Sequence, residues 1–494
     1  MIIHALKTTA NASQNLFKIL IGLVSFLFLI GIANYILIGR KLENWPILLQ
    51  ILKPENQIDE PRADDRILII APHPDDETLG MGGYIQRAKE KGAQVKVIYL
   101  TLGDHNEIAA WLDKKNALLT PLQYRELGRK RSQEATKGTS ILGLKVEDLY
   151  FLGYPDGGTL RIWQGYWNGR SFLNPITATN KVPYDIAQTP GASYNAKSII
   201  TDMLKVASAY QPTQVFLPTN LDVHPDHQAA ALFARAAMNT LTIKPKIYSY
   251  LIHQHYYPEP LRYSPYSYLV PPSYISEDYF TYKNFNLTAE EEANKEIALK
   301  QYVTQVRSGL TLKSFIRQNE IFFQTKDTNS YYADPNWPEN TSGDITDIDT
   351  PVNLPTNYAL GYLGKGFHIK SFSVENNKND INLLFRIGFT GKITLGSRLY
   401  LYFYPQYANL SFNDTPKYLI VISNNLKKSV RIIDLASANK AYFDLAFDLK
   451  GQNIEFKVPK TNLPVDNLLG AFTAFKGYLE KVRLYVTPWQ WHNL

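Results

Sequence analysis

Between Arg66 and Ile252, short apolar runs alternate with longer stretches in which apolar residues recur every three or four positions. The runs Arg66–Ile70, Gln94–Leu100, Asp148–Leu152, Gln214–Leu217 and Lys246–Ile252 predict strands. The stretches through Ile85–Ala88, Leu122–Leu142, Ala196–Ala209 and Ala229–Met238 predict helices between them. Strands separated by helices imply parallel βαβ units, so the expected fold class is α/β, a Rossmann-like doubly wound and mostly parallel sheet. A late helix over Glu290–Ser308, continuing through Phe315, closes this region.

The pattern changes on both sides of it. Ile19–Ile38 is an uncharged apolar run long enough to cross a bilayer, with Lys18 before it and Arg40 and Lys41 after it. It predicts a single transmembrane helix, too long and too poor in small residues at its end for a cleaved signal peptide. The prolines at 46, 54 and 61 make the following segment a stalk, and Asp334–Pro355, rich in Asp, Asn, Thr and Pro, reads as a linker. Beyond it, Ile381–Gly388, Arg398–Tyr404, Tyr418–Ile422, Ala441–Phe447, Ile454–Val458 and Val482–Val486 predict strands without long amphipathic helices, hence a β-sandwich. The expected organisation is a tail and membrane anchor over 1–45, a stalk over 46–65, an α/β domain over 66–325, a linker over 326–355 and an accessory β-domain over 356–494.

Composition narrows the partners. A net charge of +7 on 494 residues is small and gives no support to nucleic-acid binding. The basic stretch Arg125, Arg129, Lys130, Arg131 reads as a solvated helix face, with contact to an anionic glycan or lipid headgroup as the alternative. Cysteine is absent from the chain, which rules out disulfides and thiolate metal ligands and suits export to an oxidising space. With the β-domain, this favours the outer face of the membrane for everything after Arg40.

The candidate chemistry lies where strands turn into helices. Ala71-Pro72-His73-Pro74-Asp75-Asp76-Glu77 follows the first strand, and His224-Pro225-Asp226-His227 follows the fourth. Open α/β sheets place their sites at such strand ends. Three of the chain's 9 histidines fall in these two clusters. His73 and Asp76 share a face of a helical first turn and can hold one divalent metal, which leaves Asp75 as a base. His224 and His227 have the same spacing, and an open catalytic site has room for only one of them as ligand. Taken singly, each cluster could be a capped helix start or a polar turn. Gly80-Met81-Gly82-Gly83 lacks the dinucleotide-binding spacing and stands beside three carboxylates, so no nucleotide cofactor is expected. Trp163–Pro190, with Trp163, Tyr166 and Trp167, breaks the α/β rhythm. It reads as a loop near the site whose aromatics either stack on sugar rings or simply pack.

These residues resemble the LmbE-like or PIG-L deacetylases, which include N-acetylglucosaminyl-phosphatidylinositol de-N-acetylases. The resemblance runs from about Arg66 to Phe323. Ala71–Glu77 reads against the family's A-H-P-D-D-E and His224–His227 against its H-P-D-H. Thr101–Asp104, Phe151–Gly158 and Lys295–Gln305 support it. The resemblance implies His73, Asp76 and His227 as metal ligands, Asp75 as general base, and His224 as the group that stabilises the oxyanion or protonates the amine. Asp226 would orient His224, and Asp104, Arg125, Asp156 and Gly157 would line the substrate. Asp222 is a departure, because some relatives carry a tyrosine there.

Two imidazoles, a carboxylate and water suit Zn2+, although iron or cobalt fits the same set. The expected activity is removal of the acetyl group from an N-acetylated sugar in a glycolipid or polysaccharide. The rivals are an amidase for a small N-acyl sugar conjugate and a non-catalytic glycan-binding envelope protein. No protein partner is identifiable in the chain.

Overall fold

The computed structural model describes residues 48–49, 52–115, 118–219, 222–254, 256–272, 280–308, 311–325, 369–375, 381–389, 396–407, 410–424, 428–437, 442–461, 468–479, 482–486 and 490–493. Among these, no helix is long and apolar enough to cross a membrane. Ile19–Ile38 and the linker 326–355 lie outside the described residues.

The first sheet has seven strands in the order β3-β2-β1-β4-β5-β7-β6. Five of them are parallel: β1 (Arg66–Ala71), β2 (Gln94–Thr101), β3 (Leu149–Tyr154), β4 (Gln214–Pro218) and β5 (Lys246–Tyr250). The chain steps outward from β1 to β2 and β3, then returns to pair β4 on the other side of β1. That reversal places a topological switch between β1 and β4. Both clusters therefore leave the sheet from neighbouring strands. β1 is buried along nearly its whole length, which explains its unbroken apolar run.

Helices α1 (Asp76–Glu90), α2 (Glu107–Lys114), α3 (Pro121–Ile141), α4 (Thr159–Gly165), α5 (Ala196–Tyr210) and α6 (Pro225–Met238) connect these strands. The glycines of α1 serve packing. A Cβ on Gly80 would stand 2.8 Å from a Tyr250 ring carbon, and one on Gly83 would stand 2.5 Å from Leu287.

Two further strands extend the sheet beyond β5, with β7 (Asn319–Thr325) antiparallel to β5 and β6 (Phe280–Asn286) antiparallel to β7. The apolar pattern did not reveal them, because Thr281, Lys283 and Asn284 break up the apolar residues of β6, and β7 has only Ile321–Phe323 between polar ends. The late helix is broken into α7 (Ala289–Leu299) and α8 (Val303–Ser308). The chain turns at Gln301–Tyr302, so that the Tyr302 hydroxyl reaches Glu77 and Thr78 at the start of α1.

The C-terminal strands form two antiparallel sheets. One contains β8 (Ile369–Glu375), β9 (Asn382–Phe389), β14 (Asp448–Lys450) and β15 (Asn453–Pro459). The other contains β10 (Ser397–Tyr407), β11 (Tyr418–Asn424), β12 (Ser429–Asp434), β13 (Tyr442–Leu445), β16 (Leu468–Leu479), β17 (Val482–Val486) and β18 (Gln490–Asn493). Phe385, Ile387 and Phe456 of the first sheet share one hydrophobic cluster with Leu401, Ile420 and Ile432 of the second. A common core between two sheets is the arrangement of a sandwich.

Trp163 and Trp167 do not line a sugar site. Both are fully buried, packed on Phe233 of α6 and on Tyr404 and Phe412 of the β-region. The Tyr404 hydroxyl donates to the Gln164 carbonyl at 3.1 Å. Large rings that would cost solvation if left exposed are instead the seam between the two units.

Candidate metal centre

The turn after β1 is tied to β2, since Pro72 O accepts from Thr101 N at 3.0 Å and Thr101 Oγ1 at 3.1 Å. Asp75 then caps α1 with φ at 132°, a conformation that L-residues rarely adopt. One oxygen of Asp76 organises the next layer. Asp76 Oδ2 accepts from His73 N at 2.9 Å, and lies 3.3 Å from His73 Nδ1 and 3.2 Å from His227 Nε2. The i, i+3 spacing thus brings His73 and Asp76 together, and α6 brings His227 to the same oxygen.

His224 is the N-cap of α6, and its Nδ1 accepts from Asp226 N at 3.2 Å. That bond fixes the ring proton on Nε2. The Asp226 carboxylate does not hydrogen-bond to the His224 ring, the closest approach being 3.9 Å. It faces His73 Nε2 at 3.4 Å and accepts from Gly157 N at 2.6 Å and from Thr159. Asp156 also faces His73 Nε2, at 3.3 Å, and accepts from His105 N at 2.8 Å. Asp156 and Gly157 therefore belong to the centre itself.

Asp104 is buried one layer further out, bonded to the Tyr184 hydroxyl. Arg125 stands on α3 with Nε on the Pro121 carbonyl at 3.3 Å. Its neighbour in sequence, Arg131, corrects the reading of that basic stretch as a solvated face. Arg131 is buried, donating to Gly103 O at 2.8 Å and Pro74 O at 2.9 Å, with Nη2 3.5 Å from Asp75 Oδ2. Helical spacing shows which face Arg131 occupies but not that a sheet edge covers that face.

Asp222 and His253 complete the set. Asp222 Oδ2 lies 3.0 Å from His227 Nδ1 and accepts from His253 N at 2.9 Å. Its other oxygen accepts from His224 N at 2.8 Å. A carboxylate behind an imidazole fixes the tautomer and leaves Nε2 free to ligate. The ring of His253 packs 4.7 Å from that of His227. Its strand-end position after Tyr250 was the only signal for it in the sequence.

The electrostatics follow from burial against charge. Burial opposes protonation of His227, but Asp222 and Asp76 overcome it and raise the ring to about 9. Burial likewise opposes protonation of His73, and Asp156 leads the groups that raise it well above the usual imidazole value. Burial lowers His224, with His73 adding to the effect, and it brings His253 down to about 4 with His227. Burial pushes Asp75 up to about 8, Arg131 pulling the other way.

These residues fit a divalent cation. Ring nitrogens of His73, His224 and His227 can lie within 4.8 Å of one another, as can donor atoms of Asp76, His227 and His253. His227 Nε2 is buried without a well-formed hydrogen bond. The neighbouring carboxylates exert the pull toward positive charge that a metal would satisfy.

Residues 68–238 match the model of the PIG-L family, described as GlcNAc-PI de-N-acetylase. A 1D-myo-inositol 2-acetamido-2-deoxy-alpha-D-glucopyranoside deacetylase of Mycobacterium sp. (strain KMS) is 36% identical over 101 residues, covering 20% of this chain and 31% of that protein. A deacetylase of the same name from Actinosynnema mirum is 28% identical over 188 residues, 38% of this chain and 59% of that protein. The chain thus spans about a third to three fifths of the length of these curated relatives. The solved N,N'-diacetylchitobiose deacetylase from Pyrococcus horikoshii is 18% identical with a TM-score of 0.33, covering 56% of this chain and 90% of that one.

Proposed function

We propose that this chain, whose residues 68–238 match the PIG-L family model, is a metal-dependent hydrolase that removes the acetyl group from an N-acetylated sugar of the N-acetylglucosamine type. The observation that carries the reading is the meeting of both clusters at the β1/β4 switch, with Asp76 Oδ2 between His73 and His227. His73, Asp76 and His227 would hold the cation, preferentially Zn2+, which when bound would polarise the amide carbonyl and lower the pKa of water toward about 7.

The other steps belong to the chain. Asp75 takes a proton from the attacking water as oxygen bonds to the acetyl carbon, while Arg131 holds the second carboxylate oxygen in place. His224, its proton fixed on Nε2, donates to the oxyanion that develops on the former carbonyl, a contribution typically worth about 10²–10³ in rate. When the C–N bond breaks, Asp75 returns the proton to the leaving nitrogen, so the products are a free amine and acetic acid, which ionises to acetate. Asp156 and Asp226 bracket His73 from the side away from Asp76 and hold its ring in register.

The acetylated sugar is part of a glycolipid or polysaccharide in this reading, and the apolar run Ile19–Ile38 supports a single-pass anchor. The catalytic domain faces outward. A cysteine introduced at Ser342 is then labelled in intact cells by an impermeant thiol reagent, and labelling only after lysis places the domain inside. The second reading, a small N-acyl sugar conjugate, is favoured by the inositol glycoside in the relatives' names. Acetate release from a panel of N-acetylglucosamine glycolipids, polysaccharides and small glycosides separates the two. Turnover confined to small glycosides rejects the first, and no release from any of them rejects deacetylation.

A further inference from the structure

The strands that carry the metal centre at one edge border a second pocket, open to solvent, at the other. Its volume is about 560 Å³, within the range of small-molecule sites. Arg66 and Gln94 are the first residues of β1 and β2 and stand in register with each other. The centre begins beyond Ala71, so about 17 Å of strand separates the two sites.

Three cations line the cavity, Arg66, Lys96 and Lys205, and among the described residues that line it there is no carboxylate. The amides of Gln94 and Gln188 stand beside them. Lys96 is held in place, its Nζ 2.5 Å from the Tyr150 hydroxyl and over the rings of Tyr150 and Tyr210 at 4.9 and 5.2 Å. Arg66 spends Nε on the Gln211 carbonyl at 2.7 Å, which offsets the negative end of α5. None of these side chains takes part in the deacetylation chemistry. Cations without a lining carboxylate select an anion, and flanking amides and hydroxyls match the hydroxyls of a sugar.

We propose that this cavity is a second ligand site, for a sugar that carries a phosphate or carboxylate group. Calorimetric titration of the full chain with glucose 6-phosphate, glucuronate and glucose tests it. One or both anionic sugars bind, and glucose binds more weakly by about tenfold or more, the worth of one charge-assisted hydrogen bond. Binding of the phosphate alone, or of the carboxylate alone, identifies the natural anion. Lys96→Met and Lys205→Glu each weaken the anionic sugar by about the same factor and leave acetate release unchanged. Lys205 is exposed, so its variant separates lost binding from lost folding. Three results overturn the proposal: no heat from either anionic sugar at millimolar concentration, equal binding of glucose, or wild-type affinity in both lysine variants. Binding that disappears in Asp75→Asn and survives in Lys96→Met belongs to the catalytic cleft and overturns it too.

Discussion

Gly157 shows how one backbone position serves the centre. Its φ is +73°, its N–H reaches Asp226 Oδ2 at 2.6 Å, and an added Cβ would stand 2.8 Å from His105 Nδ1. Gly157→Ala is expected to cost about tenfold or more in kcat/KM with the metal retained, because the crowded turn shifts its N–H off Asp226 and His73 loses its bracket. Wild-type kinetics in that variant would show that the loop does not position His73. Alanine at His73, Asp76 or His227 should remove metal and activity together, whereas Asp75→Asn keeps the metal and loses most turnover. Elemental analysis of the purified variants decides this, and metal lost from Asp75→Asn but kept in Asp76→Ala would reverse the roles. Burial, with Asp156 adding to it, pushes Asp104 up to about 7 from 3.8. The folded state therefore holds a proton that the unfolded chain releases, so the stability due to Asp104 is full below pH 3.8 and is lost as pH rises through about 7. Asp104→Asn abolishes that slope. Urea midpoints across the window should show the variant gaining on wild type as pH rises, and parallel curves would contradict the assignment.

At the scale of elements, α1 is held to its neighbours by a buried ion pair. Lys295 of α7 and Glu320 of β7 meet at 2.7 Å, each 1% exposed, and Glu320 also accepts from Gly83 N and Tyr84 N of α1 at 2.8 and 2.9 Å. Lys295→Met strands a buried carboxylate and should cost about 3–5 kcal/mol in denaturant unfolding. The double variant Lys295→Met, Glu320→Gln should recover much of that loss, since the uncompensated charge is gone. Additive losses would mean that the pair does not interact.

For the whole molecule, the consequential contact is the aromatic seam. Trp163 stacks on Phe412 with ring centroids 5.7 Å apart, and Lys417 Nζ lies 4.0 Å above the Phe412 ring while donating to the Phe412 and Thr415 carbonyls at 2.7 Å. Phe412→Ala should destabilise the chain by about 3–5 kcal/mol. Leu410, 50% exposed nearby, should tolerate alanine within about 0.5 kcal/mol. Equal effects in the two variants would show that the seam contributes no more than ordinary surface. Because Trp163 follows directly on the Gly157–Thr159 turn that holds Asp226, loosening the seam should also lower kcat.

The five parallel strands and the residues of both clusters were legible in the sequence, because a buried parallel strand needs an uninterrupted apolar run and metal chemistry needs histidine and carboxylate close together. Both are local demands, written into neighbouring positions. Which groups stand behind the clusters was decided by tertiary structure. Asp222, Asp156 and Arg131 come from separate loops and a helix, and only the strand order 3-2-1-4-5 brings them to one edge. The same holds for β6 and β7, where Thr281, Lys283 and Asn284 break up the apolar residues of one and polar residues close in on Ile321–Phe323 of the other. They become strands by pairing with each other and, through β7, with β5. Trp163 and Trp167 read equally well as a sugar platform or a packed loop, and the β-region that buries them lies more than two hundred residues further along the chain. Local pattern determines what a segment can do, and burial by distant segments selects which of those options it takes.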